Sequence, residues 1–479
     1  MACNVVVLLS DEHDPRVAGH AGHPLARTPN LDRLAARGTR FTRAYTPSPV
    51  CVPARASLAT GRRVHEIGYW DNATGYDGRV PGWGHALQDA GVRVESIGKL
   101  HYRRAEDPTG FDRQHEPMHL DGGQGQVWGS VRDPLPETIG PSPLFKEIGA
   151  GESPYNRYDL RSTERAIDWL RERGRERSAK PWVLFVGLVA PHFPLVVPQR
   201  YLDAYPVEKI GLGKLQPRDG YVHHPWVAAN RRHCDHDAAM RTDERRRLAI
   251  ACYLGLVSFM DEQVGRVLAA LDESGLAGST RVVYSSDHGD NLGARGMWNK
   301  CLMYLESTAV PMILAGPGIP AGRTCRTHAN LVDLAPTILE SAGLAPAPHA
   351  SALPARSLVA MANAPDDEVR AGFSEYHAVG SPSGAFVLAR GRYKYHHYVG
   401  YAPELFDLEA DPEEAHDLAG DSARAGTLRD FEARLRDIVD PEKTDRRAKD
   451  DQNALVARHG GRENALRVGP PGATPAPGA

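Results

Sequence analysis

The sequence predicts an α/β fold: a large mixed, mostly parallel sheet flanked by helices, followed by a smaller C-terminal α+β subdomain. Three observations predict it. Short apolar runs bounded by polar or Gly/Pro stops recur along the first 350 residues, as strands of a covered parallel sheet do. Helical patterns separate these runs. Beyond about residue 350 the runs become shorter and closer together, which suits a small antiparallel sheet.

The elements follow in order. Residues 5–9 (Val-Val-Val-Leu-Leu) read as the first strand, and 29–37 as a helix capped by Thr28 and ended by Gly38. Pro53 suits a first helical turn and Gly61 its end, so a second helix starts just after Cys51. Residues 92–97, 182–189, 281–286 and 310–314 read as further strands, with helices at 163–172 and 243–273 between them. An Ala/Pro-rich passage at 345–355 reads as a connection. Runs at 372–376, 385–389 and 392–398 then suggest the small sheet, with a helix at 422–439. Three units result: a catalytic domain over 1–350, a C-terminal subdomain over 351–445, and a tail over 446–479 that is flexible or lies at a subunit contact.

Composition sets limits on function. The 479 residues are 41% hydrophobic and 24% charged, and the net charge of −3 argues neither for a nucleic-acid partner nor for a membrane surface, so none is expected. Arginine-rich runs at 171–177 and 245–247 read as solvated helix faces. The six cysteines show neither zinc-site pairs nor a dense disulfide framework, which fits a reducing compartment. The apolar run 5–9 is too short for a signal peptide or a spanning helix. A cytoplasmic protein is therefore expected, acting on a substrate made or imported inside the cell.

Each strand is followed by chemistry. Residues 5–9 run into Ser10-Asp11-Glu12, 92–97 into Gly98-Lys99-Leu100-His101, 182–189 into Ala190-Pro191-His192, and 281–286 into Asp287-His288-Gly289-Asp290. Ligands of open α/β sheets bind beyond the carboxyl ends of the strands, so these groups are expected on one rim. Taken singly, each lysine reads as a surface charge and each histidine as a loop residue; the shared rim reverses that. Asp11, Asp287 and His288 make a mainly oxygen-donor set suited to a hard divalent cation such as Ca2+, Mg2+ or Mn2+. A second cluster, His233-Cys234-Asp235-His236-Asp237, lies in a polar segment with no further Cys/His group and reads as a surface loop.

Cys51 stands at the positive end of the second helix, with Arg55 one turn on. A thiol placed there is expected to be exposed and to have a depressed pKa; the alternative from spacing alone is a buried core cysteine. The wider motif is Cys51-x-Pro53-x-Arg55 followed by Leu58-x-Thr60-Gly61-Arg62. It resembles the signature of the type I sulfatases, members of the alkaline phosphatase superfamily, and the likeness extends over about residues 4–420.

That resemblance implies an alkaline-phosphatase-like fold and a formylglycine made from Cys51, with Pro53 and Arg55 as recognition elements for a formylglycine-generating enzyme. One hydroxyl of the hydrated aldehyde attacks sulfur and expels the alcohol; the other collapses to release sulfate. The resemblance carries the metal site to Asp11, Cys51, Asp287 and His288, with Ca2+ as the first expectation. Glu12 stays open among metal ligand, ligand-bonding group and neither. Lys99 and Lys300 would hold the sulfate, His192 would protonate the leaving alcohol, and His101 would orient or deprotonate the hydrate. Arg55 completes the expected catalytic set.

Within the family, Tyr69-Trp70-Asp71-Asn72, the Lys99 and Asp287 motifs and Glu404-Leu405-Phe406-Asp407 resemble choline-sulfatase-like members, alongside phosphonate monoester hydrolase-like ones. Trp70 and Asn72 are accordingly expected to bind substrate. A trimethylammonium group would want an aromatic cage with a carboxylate, for which Trp70, Trp128, Tyr376 and Glu375 are available or else pack in the core. The function implied is metal-dependent hydrolysis of a small alkyl or aryl sulfate ester by a homo-oligomer. Two alternatives stand beside it: phosphonate monoester or phosphodiester hydrolysis at the same site, and a binding protein with unmodified Cys51.

Overall fold

The first strand, β1 (Asn4–Asp11), shows how the sequence builds the sheet. Its side chains alternate between faces, so Val6 and Leu8 enter one apolar cluster while Val5, Val7 and Leu9 enter another. All five are buried, and each such side chain contributes about 1.5–3 kcal/mol when removed from water. A strand apolar on both faces is stable only inside a covered sheet. The structure, a computed structural model, describes residues 2–137, 144–176, 180–233, 235–345 and 351–478. Arg177, Cys234 and residues 346–350 of the expected connection lie outside the described residues.

The main sheet has eight strands. In spatial order they are Arg323–Cys325 (β8), Gly38–Phe41 (β2), Met312–Ala315 (β7), Thr280–Ser286 (β6), β1, Trp182–Pro191 (β5), Arg93–Lys99 (β3) and Arg113–Met118 (β4). The five from β6 to β4 are mutually parallel. The expected strand at 310–314 forms two residues later and departs from that parallel series: β7 is antiparallel to both β6 and β2. The link from Ser286 to Met312 contains only single-turn helices, so the chain re-enters the sheet from the rim at which it left.

Helices α1 (Pro29–Ala36), α3 (Pro154–Arg175) and α4 (Asp243–Glu273) cover one face. Helices α2 (Cys51–Thr60) and α5 (Leu334–Ser341) cover the other. By length and composition α4 could cross a membrane, but 72% of its most apolar stretch is buried in the protein, as in a core helix.

The C-terminal sheet is antiparallel, ordered Ala371–Tyr376 (β9), Ala385–Arg390 (β10), Tyr393–Tyr398 (β11) and Glu404–Asp407 (β12). One face packs through Tyr376, Val387 and Phe406 on Tyr45, Trp226 and Met303; the other is covered by Phe431 and Leu435 of α6 (Ala425–Ile438).

The remaining residues differ from the expected flexible tail. Helix α7 (Pro441–Arg458) begins before the expected boundary and docks back on the N-terminal unit. Gln452 donates to Asp71 at 2.7 Å, Asp451 accepts from the Trp70 indole at 2.8 Å, and Asp445 pairs with Arg132 at 3.5 Å. Its docking is mostly polar, which is why hydrophobic patterning gave no sign of it.

Candidate active site

Register shifts aim the first groups. Against β5, the pairing of β1 slips between Leu9 and Asp11; against β4, that of β3 slips between Ile97 and Lys99. Such bulges re-aim side chains at strand ends. At the second one Gly98 is required: its φ is +89°, and a Cβ there would stand 2.2 Å from the Gly187 carbonyl. The end of β5 is tied by Asp159 of α3, whose carboxylate accepts the Val189 and Ala190 amides, each at 2.8 Å. His192 follows directly.

Cys51 is the first residue of α2 rather than the residue before it. The Val52 amide is capped by Asn72 Oδ1 at 3.0 Å. Arg55, one turn on, is buried and reaches three groups: Asp287 Oδ2 at 2.8 Å, Asp11 Oδ2 at 3.2 Å and the Lys99 carbonyl at 2.9 Å. Lys99 Nζ stands 2.5 Å from the same Asp11 oxygen. The outer oxygens of both carboxylates are thus held by cations, and the inner ones converge. Asp11 Oδ1 lies 3.8 Å from Cys51 Sγ and 3.7 Å from His288 Nε2; Asp287 Oδ1 lies 3.7 Å from that nitrogen, and Sγ lies 3.2 Å from it.

These spacings fit a cation. Donors about 2.0–2.4 Å from an ion stand roughly 3–4 Å from one another, and all four atoms lie within 4.8 Å of one another. His288 Nδ1 faces the Gly289 carbonyl at 3.0 Å, which leaves Nε2 as the lone-pair atom turned to the cluster. A second group, Asp11, Glu12 and His192, meets the same distance limit.

The expected exposure and depressed pKa of Cys51 are corrected by the structure. The residue is 1% exposed, and burial pushes its thiol up to about 12, with the Asp11 and Asp287 carboxylates acting the same way against Lys300 and Lys99. Desolvation outweighs the helix terminus. Asp11 is also buried, yet Lys99, His192 and Arg55 hold its carboxyl well below the usual range.

Glu12 sits at the centre of the proton-handling groups. Its Oε2 is 3.0 Å from Lys300 Nζ and 3.4 Å from His192 Nε2. Burial raises the Glu12 carboxyl well above its ordinary value, against the pull of Lys300 and with the neighbouring Asp290 charge. Asp290, in turn, is pushed up by burial to about 7. Sequence reading did not single out Asp290, although it stands in the Asp287 motif. Burial and the Lys300 charge lower His192, whose Nδ1 lies 2.7 Å from the Phe193 carbonyl. Burial and Lys99 likewise lower His101. Lys300 is held in place through Asn291, whose amide donates to the Asn299 and Lys300 carbonyls at 2.6 and 3.1 Å. Glu12, His101, Asn299 and Cys301 all have positive φ, between +59° and +77°, the kind of backbone strain that gathers at functional sites.

A cleft of about 1020 Å³, part of it open to solvent, lies at this rim. Cys51, Asn72, Lys99, His101, His192 and Lys300 all line it. Trp70 does not: it packs on Ala448 and the edge of His377. Glu375, bound between His65 and His377, and Tyr376 also lie away from it. Of the proposed cage, Trp128 alone is at the wall. The His233 cluster is corrected as well, since Asp235 and His236 line the cleft instead of forming a surface loop. Burial there lowers His236 to about 4. Trp298, Gln126 and residues 471–474 complete the wall and were missed, the last because a Pro/Gly-rich end carries no hydrophobic period.

A doubly covered, mostly parallel α/β sheet with cations and carboxylates gathered at one rim has the alkaline-phosphatase-like fold. Residues 3–344 match the sulfatase family, and residues 293–440 match the unit described as N-sulphoglucosamine sulphohydrolase, C-terminal. The chain belongs to the sulfatase family and is a sulfuric ester hydrolase. It is 28% identical over 442 residues to a choline-sulfatase of Rhizobium meliloti, covering 87% of this chain and 82% of that protein. With arylsulfatase K of Mus musculus it shares 28% over 447 residues, 87% of this chain and 76% of the other. Its fold superposes on phosphonate monoester hydrolase of Agrobacterium radiobacter with a TM-score of 0.72 at 23% identity, covering 90% and 94% of the two chains.

Proposed function

We propose that this chain hydrolyses small alkyl or aryl sulfate esters, choline sulfate among them, using a formylglycine made from Cys51 and one divalent ion. The observation that carries this is the convergence of Asp11, residue 51, Asp287 and His288 within 4.8 Å, ringed by Lys99, Lys300, His101 and His192. Asp11, Asp287, His288 and residue 51 would hold the ion, with Ca2+ first and Mn2+ or Mg2+ as alternatives; Glu12 would bind Lys300 and His192 instead. The ion would supply Lewis-acid charge, and formylglycine a hydroxyl nucleophile that is renewed after each turnover.

The chain's own residues account for the rest. Lys99 and Lys300 place two cations where sulfate oxygens gain charge. His192 gives a proton to the leaving oxygen from Nε2. In the free site the Lys300 and Lys99 charges help keep it neutral; a bound anion offsets both and restores its proton affinity. Trp128, Trp298 and Phe193 exclude water around the alcohol. Asp235, 3.8 Å from Arg231, puts a carboxylate on the same wall and suits a cationic alcohol. The relatives named choline-sulfatase and arylsulfatase K support both substrate types.

Intact mass tests the nucleophile: conversion removes roughly 18 Da from the Cys51 peptide, by loss of hydrogen sulfide and gain of one oxygen atom. Release of inorganic sulfate from an ester panel tests the reaction, and full turnover by Cys51→Ala would end the proposal. Tetrahedral phosphorus fits the same cradle, so phosphonate monoester or phosphodiester hydrolysis is the second reading; paired rates on a sulfate monoester and a phosphodiester decide between them. Maturation by a formylglycine-generating enzyme, a cytoplasmic location and a homo-oligomeric state belong to the same reading, and are open to fractionation and light scattering.

A further inference from the structure

The segment after Gly469 lines the cleft through residues 471–474 and is fastened to several elements. Trp128 Nε1 donates to the Pro470 carbonyl at 2.9 Å, the Gln126 amide to that of Gly472, the Tyr155 hydroxyl to that of Thr474, and Arg161 to that of Pro477 at 2.8 Å. Gly469 itself passes so close that a Cβ would meet the Gly125 carbonyl at 2.2 Å, and its φ is +100°. These ties hold Thr474, 7% exposed, with its Oγ1 2.8 Å from His101 Nε2. His101 is 4% exposed, and its other ring nitrogen, Nδ1, is buried without a hydrogen-bond partner.

From this geometry we infer that Thr474 is a positioning residue for His101, holding its ring through Nε2. The Thr474 hydroxyl occupies Nε2, so Nδ1 is the ring nitrogen left without a partner in the protein, on a residue that lines the same cleft as residue 51. A hydroxyl is needed because no other hydrogen-bonding group meets Nε2 among the described residues. The C-terminal segment is therefore part of the proton-handling apparatus as well as a wall. This rests on the proposed reading of His101 and residue 51.

The test is steady-state hydrolysis of p-nitrophenyl sulfate by the full-length enzyme, with rates normalised to formylglycine content by intact mass and the fold checked by thermal melts. Thr474→Val, of the same shape, should lower kcat about 10- to 100-fold, the scale of losing the orientation of a reacting group, and leave KM within about threefold. Thr474→Ser should restore kcat to within about threefold of wild type. The double variant His101→Ala/Thr474→Val should be no slower than His101→Ala alone. Wild-type kcat in Thr474→Val, equal losses in the Val and Ser variants, or multiplicative losses in the double variant would overturn the inference. Failure of the underlying reading looks different: full turnover by Cys51→Ala or His101→Ala overturns that reading and the Thr474 role with it.

Discussion

Arg55 does more at the site than any other single side chain. It is 2% exposed and spans both carboxylates that face residue 51. Arg55→Met should cost about 3–5 kcal/mol, the loss expected when buried charges are left without their partner, read by urea denaturation in the presence of a chelator. His192 makes a second prediction at this scale. If it protonates the leaving oxygen, His192→Ala slows alkyl sulfates by about 10²–10⁴-fold and nitrophenyl sulfate far less; equal slowing removes it from that role. Asp11, Lys99, His192 and Asp287 were legible in the sequence because each directly follows an apolar strand, and such strands end on one rim. The burial of Cys51 was not decided there, since the groups that meet its sulfur, Asp11 and His288, come from distant segments. Thr474 had no local signal at all.

Single elements carry the next prediction. His328 stacks on Tyr45 of the main unit with ring centroids 5.8 Å apart, and its Nε2 meets the Gly391 carbonyl of the β10–β11 turn at 3.2 Å. Burial lowers it to about 4. In the unfolded chain it titrates near 6.5, so between those values the unfolded state binds more protons and stability falls as pH falls. His328 alone accounts for at most about 3 kcal/mol of that loss. Denaturation midpoints from pH 7 to 4.5 should decline, and His328→Gln should flatten the decline without abolishing it, because burial lowers His119 and His236 similarly. At this scale the sequence was most readable. The continuous Val/Leu run of β1 and the long pattern of α4 form where expected, while the reversal of β7 depends on a connection with no helical period.

At the scale of the whole molecule, an ion held by the four converging donors binds the folded chain alone, since those donors come from β1, α2 and the end of β6. Such binding stabilises by about 2.7 kcal/mol at 100 times Kd. Melting temperature should thus rise with the logarithm of Ca2+ or Mn2+ concentration, and Asp287→Asn should weaken that dependence. The small antiparallel sheet was legible from the change of texture near residue 350, but the return of α7 and the last residues onto the elements before it was not, because that docking is made by dispersed polar pairs. The strap formed by residues 469–478 also fixes an order of events in the life of the chain. The strap and residue 51 line one cleft, and that thiol, at the first position of a helix, is 1% exposed in the folded chain and out of a second protein's reach. On the proposed chemistry, maturation belongs to the nascent or unfolded polypeptide, and a copy that folds too early stays a thiol for the rest of its existence.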